Sequence, residues 1–167
     1  EELKIITIED PPEVEIPGVI QCAINPKAGI TYASAIRGFL RHDPDVILVG
    51  EIRDTETAEE CVRATLTGHK TFSTLHTFSA ISSIIRLNDL GINFSYISMV
   101  LSGVVNQRLV RKLCPFCKKE VEAPSLYRKY IPEQKIYLPV GCEFCYGGYK
   151  GRIPVVETLY IDDKSKK

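Results

Sequence analysis

The sequence predicts an α/β protein built on a parallel sheet, with a small four-cysteine module toward its C-terminal end. Short apolar runs rich in β-branched residues alternate with segments of helical periodicity in the first part of the chain, which predicts βαβ crossovers. The run 46–49 is apolar at every position, as in a strand buried on both faces of a parallel sheet. From Cys114 onward, cysteines, lysines, prolines and glycines replace these runs.

Turn residues set the bounds of the predicted elements. Pro11 and Pro12 end the first strand, Thr31 is placed to begin a helix, and Gly68 and Gly91 follow helices as C-terminal stops. The region 14–25 is expected to be irregular or an edge strand. The predicted strands are 3–8, 46–49 and 70–75, and the predicted helices run from Thr31 to the turn at 43–45 and over 55–67, 79–90 and 94–113.

Three segments are expected along the chain. Residues 1–112 form the α/β part, residues 113–152 the cysteine module, and residues 153–167 a returning strand with a polar tail. The sequence opens with Glu1 and has neither an initiator methionine nor a signal peptide, so we expect a fragment of a longer protein. No apolar run reaches the roughly 20 residues that span a bilayer.

The composition is that of a soluble globular protein. Hydrophobic residues make up 44% and charged residues 25% of the chain, which excludes a disordered protein. The 21 basic and 21 acidic residues give a formal net charge of zero. Because nucleic-acid-binding proteins normally carry a basic excess, we expect no nucleic-acid partner.

Two Cys-x-x-Cys pairs are the strongest local signal. Cys114 and Cys117 form the first pair, and Cys142 and Cys145 form the second. Each pair can offer two thiolates to one face of a cation, and two pairs give the tetrahedral four-sulfur site that Zn²⁺ prefers. We predict structural rather than catalytic zinc, because protein thiolates would fill all four positions. The alternative is four reduced thiols or a redox pair.

Polar residues follow three of the predicted strands: Glu9, Glu51 and His76. Because ligands bind at the carboxyl ends of the strands in open α/β sheets, we expect these residues to share one site. The segment 43–51 has the form of a Walker B strand, which delivers a carboxylate next to Mg²⁺ and the γ-phosphate. Glu9 is placed to orient or deprotonate a water, and His76 to donate to a phosphate oxygen.

Each of these signals is weak by itself. Glu51 also fits a helix-capping or surface acid, Glu9 an acidic turn, and His69 and His76 structural histidines. Arginines are candidates for phosphate contact within one subunit or across a subunit boundary, although a surface ion pair fits each of them as well. The candidate arginines are Arg37, Arg41, Arg53 and Arg86.

Together these segments resemble the secretion-superfamily ATPases of type IV pilus assembly and type II secretion. Residues 6–13 resemble the Asp box of that family, 40–58 its Walker B segment, 67–77 its His box, and 107–117 the start of its zinc module. Residues 25–31 and 147–152 are most similar to the pilus-assembly (extension) branch, with the secretion branch close behind. The four cysteines argue against the retraction ATPases, which usually lack the zinc module.

The resemblance implies a partial RecA-like P-loop NTPase core in a hexameric motor. Such a motor hydrolyses ATP with Mg²⁺ in the cytoplasm, at the inner membrane, and works on the platform proteins of a pilus or secretion machine. Glu9 resembles the catalytic acid of the Asp box, and Glu51 the Walker B carboxylate. The nucleotide-binding residues that the resemblance implies are His76 with its box partner His69, Arg41 and, as a weaker candidate, Arg86.

The chain departs from the family in one respect. No Gly-x-x-x-x-Gly-Lys-[Ser/Thr] loop occurs in the 167 residues, so the β-phosphate has no cradle of backbone amides. We therefore expect these residues alone to be inactive. The rival interpretation is a non-catalytic, zinc-ribbon-like interaction module on an inactive α/β remnant.

Overall fold

The computed structural model describes residues 3–162 and divides the chain into two compact units. The first unit comprises the chain up to Asn106 together with the segment from Thr158, and the second comprises Gln107–Glu157. Within residues 3–162, no helix has the length and apolar character needed to cross a bilayer.

The first unit is built on a four-stranded parallel sheet, in the order β2-β1-β3-β4. Its helices begin at capping residues: Thr31 and Ser79 form capping boxes, and Asp54 and Asn93 accept from the first turn. The strands are β1 (Ile5–Glu9), β2 (Val19–Ala23), β3 (Val46–Val49) and β4 (Lys70–Ser73), and the helices are α1 (Tyr32–Phe39), α2 (Thr55–Leu66), α3 (Ala80–Asp89) and α4 (Phe94–Val100).

The core of this unit lies between the sheet and its helices. Ile8, Ile47 and Val49 are fully buried in the two central strands, and Ile36 of α1 packs against them. Burying such side chains stabilises the fold by about 1.5–3 kcal/mol each. The β-branched runs that predicted β1 and β3 therefore form the centre of the sheet.

The register of the sheet brings the ends of its strands to one edge. Ile8 pairs with Val49, and Val49 pairs with Ser73. The alignment continues past the strands, because the Gly50 amide donates to the Ile8 carbonyl at 2.8 Å and the Thr74 hydroxyl donates to the Gly50 carbonyl at 2.6 Å. The residues that follow β1, β3 and β4 consequently emerge together.

The second unit contains short strands around the cysteine pairs. The strands β6 (Lys119–Glu122) and β7 (Lys135–Leu138) pair antiparallel, and α5 (Ser125–Arg128) lies between them in sequence. The strands β5 (Gly103–Leu113) and β8 (Tyr149–Tyr160), most of whose residues belong to this unit, form a two-stranded sheet.

Several predicted elements differ from those observed. The predicted helix 94–113 is wrong in its second half: the chain leaves α4 at Leu101, which has an extended conformation (φ −76°, ψ 118°), and 103–113 is β5. Val104, Val105 and Val110 favour a strand, and pairing with β8 supplies the hydrogen bonds. The region 14–25 contains the edge strand β2, and the returning strand begins at Tyr149. The tail 163–167 lies outside the described residues.

Candidate nucleotide and metal sites

Glu51 and His76 meet at the carboxyl edge of the sheet, as predicted from their positions after β3 and β4. The Nε2 atom of His76 lies 3.6 Å from the Oε2 atom of Glu51, and the guanidinium of Arg53 donates to that same oxygen. The Glu51 side chain is only 13% exposed, whereas that of His76 is 87% exposed. The carboxylate is thus held in place, and the imidazole is accessible to a ligand.

Glu9, the last residue of β1, is held by two hydrogen bonds to a single oxygen. The amide of Gln21 donates to Oε1 at 3.0 Å, and the hydroxyl of Thr7 donates to it at 2.6 Å. These two bonds, of which the bond from Gln21 has the larger effect, hold the pKa of the Glu9 carboxyl below its usual value. Glu9 therefore stays ionised, with Oε2 left to meet a ligand.

Gln21 and Thr7 are site residues that the sequence reasoning missed. They face each other in the register of β1 and β2. Gln21 also holds the loop after β1, because its side chain donates to the Val14 carbonyl at 3.0 Å and accepts from the Ile16 amide at 2.7 Å. The available signal was a polar residue inside each apolar strand, with Thr7 on the same face as Glu9 because side chains alternate along a strand.

The two carboxylates border an open cleft of about 350 Å³. Asp10 and Glu13 add two more acids to its lining, and Tyr32 from the first turn of α1 completes the wall. Carboxylate oxygens are the ligands that Mg²⁺ prefers, and this ion is usually held by one or two carboxylates together with substrate phosphates. The donor set therefore fits Mg²⁺, and the negative lining indicates that a phosphate would bind with a cation.

The other predicted nucleotide residues lie away from this cleft. His69 precedes β4, and a four-residue strand spans about 13 Å, so His69 and His76 occupy opposite ends of β4. The His69 ring contacts the Ala64 carbonyl and the Thr67 hydroxyl, both at 3.1 Å. Arg41 follows α1 and leads toward the start of β3, and Arg86 lies in the last turn of α3. Within residues 3–162, none of these three side chains forms a hydrogen bond or an ion pair with Glu9, Glu51 or His76.

The remaining candidate arginines form ion pairs. Arg53 pairs with Glu51 in the site, as described above. Arg37 instead joins α1 to α2, since its guanidinium lies 3.0 Å from Glu56 and 3.2 Å from the buried Glu60. Arg37 therefore has a structural partner within the fold.

The four predicted cysteine ligands converge in the second unit. Their sulfur atoms all lie within 4.8 Å of one another, with separations of 3.9 Å (Cys114–Cys142), 3.6 Å (Cys117–Cys145) and 3.6 Å (Cys142–Cys145). A tetrahedral zinc site with Zn–S bonds of about 2.3 Å has sulfurs about 3.8 Å apart. A disulfide needs about 2.05 Å, so the arrangement fits a four-thiolate metal site.

Backbone groups support this cluster. The amides of Gly141 and Cys142 donate to the sulfurs of Cys117 and Cys145, each at 3.3 Å, which stabilises thiolate charge. The Cys114 amide donates to the Gly148 carbonyl at 2.8 Å. A side chain at Gly148 would place its Cβ 2.5 Å from the Cβ of Pro139, so this close approach requires glycine.

The sequence matches the family described as "Type II/IV secretion system protein" over residues 1–167. The chain belongs to this family. It is 49% identical to the type IV pilus assembly ATPase PilB of Thermus thermophilus over 95% of the chain, and 47% identical to the type II secretion system ATPase E of Vibrio cholerae over 97%. The chain covers 19% of the first relative and 33% of the second.

Solved structures of secretion and pilus ATPases share the fold. The pilus retraction motor PilT bound to ADP superposes with a TM-score of 0.68 and 30% identity, over 99% of this chain and 41% of that one. The VirB11 ATPase of Brucella suis, with a TM-score of 0.62 and 19% identity over 98% of this chain and 42% of that one, supports the fold alone. The predicted RecA-like core and the resemblance to secretion ATPases are thereby confirmed.

Proposed function

We propose that this chain forms the water-handling and metal-handling part of the nucleotide site of an ATPase that drives type IV pilus assembly or type II secretion. The observation that carries the proposal is the convergence of Glu9, Glu51 and His76 at one edge of a parallel sheet, in a chain whose relatives are ATPases of these two systems. The chain spans about a fifth to a third of those relatives, so the activity belongs to a longer protein that contains it.

In the proposed reaction, water attacks the γ-phosphorus of ATP and the bond to the bridging oxygen of ADP breaks. Glu9 orients the water through Oε2, because Oε1 already accepts from Thr7 and Gln21. Its low pKa favours orientation over full proton abstraction, and the proton passes to the phosphate product. His76 donates to an oxygen of the γ-phosphate, which the exposure of its ring permits.

Glu51 is the carboxylate proposed to meet Mg²⁺. When bound, this ion offsets the negative charge that develops on the phosphate oxygens. Arg53 neutralises one face of the Glu51 carboxylate and fixes its orientation. This arrangement preorganises charge at the point where it is needed, which is the main source of catalysis in phosphoryl transfer.

The four cysteines are proposed to bind one structural zinc ion. Their spacing and sulfur separations support this proposal, as do the amides that donate to Cys117 and Cys145. With four protein ligands the ion has no open position for substrate, so its role is to hold the second unit together.

The assembly of the longer protein follows from the resemblance alone. We propose a homo-hexamer in the cytoplasm, which works on the inner-membrane platform proteins of its machine. His69, Arg41 and Arg86 lie outside the cleft described above. In this proposal the two arginines contact only the nucleotide of a neighbouring subunit, whereas the His69 ring supports the end of α2. The 167 residues by themselves are expected to hydrolyse ATP negligibly, because they contain no phosphate-binding loop.

The proposal is tested by Glu51→Gln and Glu9→Gln in the longer protein. Each variant is expected to lower ATP turnover by about 100-fold or more while the unfolding midpoint stays unchanged, since general acid–base and positioning residues contribute this much. Glu56→Gln is the matched control, because Glu56 is an exposed acid of α2 that pairs with Arg37. Full turnover in both site variants would instead favour the non-catalytic interaction module.

A further inference from the structure

Tyr32 occupies a position in the cleft that the proposed mechanism does not use. It is the first residue of α1, and its ring packs against the hydrophobic core. Its hydroxyl lies against the backbone of Gly50, the residue before Glu51: a Cβ added at Gly50 would stand 3.2 Å from that hydroxyl oxygen. A side chain at position 50 would crowd this hydroxyl, so glycine favours the close approach of the phenol to the ends of β1 and β3.

The position of this ring is fixed from two sides. The Thr31–Ser34 capping box holds the start of α1, with hydrogen bonds of 3.1 Å and 2.8 Å in the two directions. Packing against the core holds the aromatic ring. The hydroxyl can therefore present a hydrogen bond in a defined direction, at little further cost in side-chain entropy.

The hydroxyl of Tyr32 is also a neutral donor among acids. Burial, followed by the charges of Glu51 and Asp10, raises its pKa above the usual value, so the proton stays on the oxygen. Within residues 3–162, no protein group forms a hydrogen bond with this hydroxyl. A lysine or arginine here would pair with the carboxylates, as Arg53 does with Glu51. A phenol remains available to a ligand.

We propose that Tyr32 is a ligand-contacting residue, whose hydroxyl donates a hydrogen bond to an oxygen at the terminal phosphate of the nucleoside triphosphate, between Glu9 and Glu51. This inference rests on the proposed ATPase function and adds a donor to the same site. As the bond to ADP breaks, negative charge builds on the oxygen that joins the terminal phosphate to ADP, so a hydrogen bond to this oxygen strengthens in the transition state. Its loss consequently affects kcat more than KM.

The test is Tyr32→Phe in the longer protein, which removes only the hydroxyl. We expect kcat to fall about tenfold, the usual effect of losing a hydrogen bond to a charged group, with a smaller change in KM and an unchanged unfolding midpoint. Tyr96→Phe is the matched control, because Tyr96 is an exposed tyrosine on α4, outside the cleft. A kcat within twofold of the unmodified protein would overturn the inference.

Two further measurements distinguish a failure of the proposed ATPase function from a failure of the role of Tyr32. Glu51→Gln is assayed beside Tyr32→Phe: if both variants keep full turnover, the proposed function fails, and if only Glu51→Gln loses turnover, the role of Tyr32 alone fails. Should Tyr32→Phe lower the unfolding midpoint, 3-fluorotyrosine at position 32 replaces it. Its fluorine resonance is expected to shift on addition of Mg²⁺ and a non-hydrolysable ATP analogue, and an unchanged resonance would overturn the inference.

Discussion

Replacement of Gln21 by alanine tests how Glu9 is held in the site. The substitution removes three hydrogen bonds: those donated to Glu9 and to the Val14 carbonyl, both 3.0 Å, and that accepted from the Ile16 amide at 2.7 Å. A hydrogen bond contributes about 0.5–1.5 kcal/mol net. Because two of the three bonds are exposed to water, we use the lower part of that range and expect a total loss of about 1–2 kcal/mol.

The expected shift can be measured by thermal unfolding of the 167-residue chain. A loss of 1 kcal/mol lowers the midpoint of a protein of this size by about 2–4 °C, so Gln21→Ala should lower it by about 2–8 °C. Gln107→Ala is the control, because Gln107 is an exposed glutamine on β5, outside the site. Equal midpoints for Gln21→Ala and the control would refute the role assigned to Gln21.

The loss of stability caused by Gln21→Ala should depend on pH in a defined direction. The pKa of Glu9 is lower in the folded state than its ordinary value of 4.5. Its stabilising contribution is therefore fully present above pH 4.5 and is lost as the pH falls through the folded pKa. The difference in stability between the unmodified chain and Gln21→Ala should thus be largest near neutral pH and should shrink on acidification. A difference that grows below pH 4.5 would contradict this explanation.

The two histidines and the cysteine cluster give the remaining predictions. His76→Ala should lower ATP turnover of the longer protein with little change in its unfolding midpoint, because the His76 ring is exposed beside Glu51. His69→Ala should instead lower the unfolding midpoint, because the His69 ring contacts the end of α2. The reverse pattern would contradict both assignments. Cys145→Ser should reduce the bound zinc, measured by elemental analysis, from about one ion per chain to a small fraction of that. The control Cys22→Ser should leave the zinc content unchanged. Full zinc content in Cys145→Ser would refute the four-thiolate site.

The parts of the fold that could be predicted are those that depend on local pattern. The strand β3 follows from four successive apolar residues, although the expected burial of both its faces is wrong, because Leu48 is exposed. The helix start at Thr31 follows from its capping chemistry. The convergence of the four cysteines follows from their spacing. The meeting of Glu51 and His76 could be predicted because parallel strands present their carboxyl ends at one edge.

The parts that could not be predicted depend on pairing between distant residues. The segment 103–113 carries apolar residues that fit either a helix or a strand, and only its pairing with β8, far along the chain, decides between them. Gln21 reaches Glu9 because of the register between β1 and β2. Tyr32 lines the cleft beside Gly50, where a side chain would crowd its hydroxyl. A polar residue inside an apolar strand marks Gln21 as a candidate, but the partner that each of these two residues meets is set by contacts between distant segments.

The most direct test of the account is the location of a bound nucleotide. A structure of the longer protein with Mg²⁺ and a non-hydrolysable ATP analogue should place the terminal phosphate in the cleft between Glu9 and Glu51, with Mg²⁺ beside the Glu51 carboxylate. The Tyr32 hydroxyl and the His76 ring should lie within hydrogen-bonding distance of its oxygens. A terminal phosphate bound elsewhere, with the cleft filled only by solvent, would contradict the central claim.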